Sequence, residues 1–68
     1  MSKLINDLVG KQCIIRSEFI FSFAGKTELS CKIIDTDDEW IKICYTEKKD
    51  KQVVKLMRIE NIESIEEQ

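Results

Sequence analysis

The stretch Glu28–Tyr45, ELSCKIIDTDDEWIKICY, decides the fold. Leu29, Cys31 and Ile33 alternate with Ser30, Lys32 and Ile34. Beyond an acidic segment, Ile41, Ile43 and Tyr45 alternate with Lys42, Cys44 and Thr46. Successive side chains of a strand point to opposite faces, so each run carries one mainly apolar face. Ile33 and Ile34 are adjacent, which makes one end of the first run apolar on both faces. Between the runs lies Asp35-Thr36-Asp37-Asp38-Glu39. Asp side chains accept hydrogen bonds from nearby backbone amides, and carboxylates resist burial. The whole stretch therefore reads as a β-hairpin with an exposed acidic turn. Trp40 follows the turn directly, where its ring is expected to cover the open end of a small barrel.

Working outward, Leu4, Ile5, Leu8 and Val9 fall at i, i+1, i+4 and i+5, one side of a short helix. Ser2 suits its N-cap and Gly10 its C-terminal end. Such a short helix needs to pack its stripe against the rest of the chain. Lys11 to Phe23 alternates as a strand longer than usual, either strongly bent or broken near Ser17-Glu18. Phe19, Phe21 and Phe23 share one parity, and Ala24-Gly25-Lys26 reads as a turn in which Gly25 takes an unusual φ. Glu47-Lys48-Lys49-Asp50-Lys51 is a mixed-charge turn. Gln52 to Met57 alternates again, Val54 and Leu56 against Val53, Lys55 and Met57. Ile59, Ile62 and Ile65 then fit a short helical turn and a brief last strand, with residues 66–68 fraying. The expected architecture is mainly β: a helix over residues 1–10, then a five-stranded, strongly bent SH3-like or Sm-like small barrel over residues 11–65, all in one domain. Chains this short close into barrels to dispose of edge strands.

Composition bounds the function. The chain has 68 residues and 43% hydrophobic content, enough for one small core and too much for simple disorder. It has no run long enough to span a membrane and no signal-peptide core at its start. The three cysteines, Cys13, Cys31 and Cys44, are widely spaced and there is no histidine. Zinc sites need more thiolate or imidazole ligands, so free cysteines acting as small hydrophobes in a reducing cytoplasm are expected. The net charge of −2 comes from interspersed acids and bases, which is not the footprint of a general nucleic-acid binder and leaves room only for a local basic patch.

Catalytic constellations are missing. Without histidine there is no Ser–His or Cys–His pair, and no Gly-rich phosphate loop occurs. The acidic turn lacks the spacing of a calcium loop. No enzyme, metal, cofactor or small-molecule substrate is expected.

In its order of N-terminal helix, bent strands and short final strand, the chain resembles the Sm-like small barrels, which include Hfq. In the first Sm motif, Cys31, Ile33, Asp37 and Trp40 fall at the places of the Gly, the first hydrophobic residue, the Asp and the second hydrophobic residue. Cys31 replaces the Gly, and Ile41 replaces the Asn that often follows. At the Arg-Gly of the second motif, Arg58 is followed by Ile59. The resemblance implies a homo-oligomer built by pairing edge strands of neighbouring subunits. Two functions follow as expectations. The first, and favoured, is a self-associating interaction or scaffold module, with Phe19, Phe21, Phe23 and Trp40 as the surface that meets itself or a protein partner. The alternative is an RNA-binding ring using Lys26, Lys32 and Arg58.

Overall fold

The computed structural model describes residues 3–68; Ser2, expected as an N-cap, lies outside the described residues. The central hairpin forms as expected. β2 (Glu28–Thr36) and β3 (Trp40–Glu47) run antiparallel, with Lys32 opposite Cys44 and Thr36 opposite Ile41. The alternation sets the inner face: Leu29, Cys31, Ile33, Ile41 and Ile43 are buried. The turn is exposed and held by its own carboxylates. Asp35 Oδ1 accepts from the Thr36 amide at 2.8 Å, and Asp37 Oδ1 accepts from the Trp40 amide at 2.8 Å and the Glu39 amide at 2.9 Å. A bulge between Ile33 and Asp35 inserts Ile34, which strengthens the local twist and turns that side chain outward.

Of the two expectations for Lys11–Phe23, the break near Ser17-Glu18 holds; the strand expected beyond it is corrected to a helix. β1 (Gln12–Arg16) ends at Ser17, and Glu18–Ala24 form a helix, α2. Ser17 caps it, and Gly25 ends it in the left-handed conformation (φ 73°), the unusual φ expected of that glycine. A helix beats a strand here because it buries Ile20 fully and brings Phe23 and Ala24 against the core while its first and last turns are capped. The chain's first helix, α1, is also shorter than expected, Lys3–Asn6, and continues as turns in which the Leu8 amide bonds the Ile5 carbonyl (2.9 Å) and the Val9 amide that of Asn6 (3.2 Å). Of its apolar stripe, Ile5 and Leu8 pack on the core, whereas Leu4 and Val9 are exposed.

β4 (Lys51–Arg58) pairs with β3 from Glu47–Lys51 to Trp40–Arg58. A short 3-10 turn over Ile59–Asn61 leads to β5 (Ser64–Glu67), which pairs with β1. The expected frayed tail is corrected too. Pairing reaches Glu67, the Gln68 amide bonds the Gln12 carbonyl at 3.0 Å, and the Gln68 side chain accepts from Ser30 Oγ at 2.8 Å. This pairing gives the backbone groups on the second side of β1 their partners.

All five strands lie in one antiparallel sheet of order β4-β3-β2-β1-β5. The sheet is not closed: β4 and β5 are its two edges. α1 and α2 pack on its inner face. The radius of gyration, 11.0 Å, is that of a folded chain of this length. Among the described residues no helix is long and apolar enough to cross a membrane.

Candidate functional site

Three surfaces carry the residues singled out in the sequence. The first lies where α2 crosses the sheet. Helical spacing splits the Phe stripe: Phe19 and Phe23 come together on one side, with ring centroids 5.7 Å apart and planes at 65°, while Phe21 stays 61% exposed. Phe23 also meets Tyr45 of β3, at 5.7 Å. Lys55 reaches across from β4 and sets its ammonium 4.0 Å from the Phe23 centroid and 5.9 Å from that of Phe19. Strand parity had put Lys55 on the same face as Met57; a lone cation at an inward position was the available sign that it would meet aromatic rings.

The second surface is the far end of the hairpin. Trp40 and Arg58 are opposed across β3 and β4, with the guanidinium 5.3 Å from the indole centroid. Arg58 is also ion-paired with Glu60 (3.1 Å) and Glu39 (3.8 Å). Trp40 follows the outward parity of Lys42 and Cys44, so it sits on the opposite face of the sheet from Phe19 and Phe23. Hydrogen bonds from the Trp40 and Glu39 amides hold the Asp37 carboxyl below its usual range.

The third surface is the opposite end of the sheet. A cleft of about 620 Å³ opens there between the end of α2, the start of β2 and the β3–β4 turn. Phe23, Leu29 and Tyr45 are its apolar lining residues, and Lys26, Lys48 and Lys51 line it as well. Thus Lys26 lies in this cleft, Lys32 lies on the outer face of β2 opposite Cys44, and Arg58 lies among carboxylates at the other end. The three candidate RNA contacts are not brought together. Lys48 and Lys51, from the mixed-charge turn, join Lys26 because the β3–β4 turn and the α2–β2 loop share one end of the sheet.

The outer face carries further apolar side chains. Val54 and Leu56 on the edge strand β4 are 56% and 55% exposed, and stand opposite Cys44 and Lys42. Cys13 and Cys31 are fully buried. Burial pushes the Cys31 thiol up to about 12 and raises Cys13 as well, so both stay protonated and poor nucleophiles at neutral pH. Among the described residues, no three Asp, Glu, Cys or His side chains come together as metal ligands.

No family model, no curated protein and no solved structure matches this chain.

Proposed function

We propose that this chain is a small, non-enzymatic interaction module that assembles with copies of itself through the edges of its sheet, as an Sm-like barrel would. The observation that carries this reading is the opposite charge of the two edges. β4 carries Lys51, Lys55 and Arg58 and no carboxylate, Arg58 being also paired with Glu39 and Glu60; β5 and the residue before it carry Glu63, Glu66 and Glu67 and no cation, Glu67 being also paired with Lys11. An open edge offers unpaired N–H and C=O groups to another strand. Pairing β4 with β4 sets cations against cations, and β5 with β5 sets carboxylates against carboxylates. Pairing β4 of one copy with β5 of the next matches them, and this head-to-tail contact yields a ring if it closes. Main-chain bonds and the exposed Val54 and Leu56 supply the holding contacts, while the charges choose the partner edge.

The alternative, an RNA-binding ring built on Lys26, Lys32 and Arg58, has less support, because those cations are dispersed and Arg58 is held by Glu39 and Glu60.

Native mass in solution, by light scattering after size exclusion at low and high salt, tests the reading. A species larger than a dimer that persists in high salt is expected. Glu66→Lys with Glu67→Lys should reduce it to monomer. A monomer of the unaltered chain at every concentration, or a two-fold dimer, overturns head-to-tail assembly.

A further inference from the structure

We propose that the cleft between the end of α2 and the β3–β4 turn binds a nucleotide, free or within a single strand, with its base against Phe23 and Tyr45 and its phosphate on Lys26, Lys48 and Lys51. The site lies wholly within one copy and does not depend on assembly.

Two features of the cleft carry the assignment. One is uncompensated positive charge. Lys11, Arg16 and Arg58 each have a carboxylate partner, at 3.5 Å from Glu67, 2.9 Å from Glu28 and 3.1 Å from Glu60. Lys26, Lys48 and Lys51 form no ion pair among the described residues. Glu47 is the one carboxylate on the cleft, so three lysines less one acid leave two positive charges there. That is a local reversal in a chain whose net charge is −2. Anionic groups are thereby drawn to this end and repelled from the acidic turn at the other.

The other feature is the aromatic wall beside those cations. Phe23 and Tyr45 are half-buried with rings tilted by 35°, Leu29 lines the cleft beside them, and the Lys55 ammonium, 4.0 Å from the Phe23 centroid, adds a further cation at that ring. Any base has a π-face that stacks on such rings, while lysines follow phosphate without reading sequence. A simple inorganic anion would use the lysines and leave the aromatic wall idle. An apolar ligand would use the wall and strand three ammonium groups. A nucleotide uses both. Burial and the neighbouring Glu47 raise the Tyr45 phenol, so it keeps its proton at neutral pH and remains a donor toward phosphate or base.

The test uses the full chain and four probes: AMP and UMP by NMR titration, and fluorescently labelled single-stranded RNA and DNA ten-mers by anisotropy. Shifts should cluster at Phe23, Tyr45, Thr46 and Lys48. The ten-mer affinity should fall with salt at a slope of about −2, three phosphates at about −0.7 each. Lys26→Glu with Lys48→Glu, which leaves Lys51 of the β4 edge intact, should weaken binding at least tenfold and make the slope shallower by about 1.4. Lys32→Glu with Lys42→Glu, on the outer face and equal in net charge, should weaken it by no more than about twofold. Binding of a mononucleotide alone identifies a free nucleotide as the ligand; binding of ten-mers alone identifies a strand. Either supports the cleft. Failure of all four probes to bind, shifts that map elsewhere, or an equal loss in the outer-face variant overturns it.

Discussion

The ammonium of Lys55 lies 4.0 Å from the centroid of the Phe23 ring, although Lys55 stands on the strand face that carries the core. It sits opposite Ile43 in the sheet, so its aliphatic stem runs along apolar surface while its charge ends on the ring of a helix residue. The contact therefore fastens α2 to the edge strand. Lys55→Met keeps the stem and removes the charge. A double-mutant cycle of Lys55→Met with Phe23→Leu, read by urea denaturation, should give a coupling of about 0.5–1 kcal/mol. Independent, additive losses would mean that only the stem matters.

Ser17 joins three parts of the fold. It is fully buried, its Oγ accepts from the Phe19 amide at 3.1 Å and donates to the Asn61 carbonyl at 2.5 Å, and its own amide donates to the Thr27 carbonyl at 2.9 Å. One hydroxyl thus caps α2 and ties it to the turn before β5. Ser17→Ala removes the cap and strips the Asn61 carbonyl of that donor. The expected cost is about 2 kcal/mol, read as a lower urea midpoint at unchanged slope.

That same residue marks where the sequence was hardest to read. The hairpin was legible because its alternation and its acidic turn agree, and Leu29, Ile33, Ile41 and Ile43 are buried as their parity requires. Phe19, Ile20, Phe21 and Phe23 instead supported two periods at once. They have strand-forming side chains at alternating positions, yet Phe19, Ile20, Phe23 and Ala24 also fall at i, i+1, i+4 and i+5. The caps separate the two readings. Ser17 before Glu18 and Gly25 after Ala24 bracket one short helix, and those local hydrogen bonds outweighed the β propensity of the rings. The cleft was not legible, since Lys26, Lys48 and Lys51 meet only through strand register, which no local pattern encodes.

Two backbone positions make opposite predictions from one cause. Gly25 has φ 73°, and a Cβ built there would meet nothing within 4 Å. The cost of Gly25→Ala is then conformational alone, about 1 kcal/mol of stability. Lys49 holds φ 64° while bearing a side chain. Lys49→Gly relieves about 1–2 kcal/mol and returns about 0.5–1 kcal/mol as backbone freedom in the unfolded chain. A net gain of roughly 0.5 kcal/mol is expected. Thermal melts of the two variants should move in opposite directions, and a loss in both would refute the strain at Lys49.

Cys13 and Cys31 face each other across β1 and β2, both fully buried and unbonded, whereas Cys44 is half-buried on the outer face. An aromatic disulfide reagent should therefore find one thiol in native buffer and three in denaturant. The buried pair should also contribute to the alkaline dependence of stability. Burial, reinforced by Cys13 and Cys44, pushes the Cys31 thiol from 9.0 up to about 12. The folded chain thus holds a proton that the unfolded chain releases earlier. This contribution to stability is complete below pH 9 and is lost as pH rises through about 12, so the melting temperature should fall across that window. Cys31→Ala removes the titrating group at the cost of a small cavity, and should flatten the decline between pH 9 and pH 11 while lowering the neutral-pH melting temperature. An unchanged alkaline slope in that variant would assign the decline to other groups, Tyr45 first among them, since its phenol is also raised by burial.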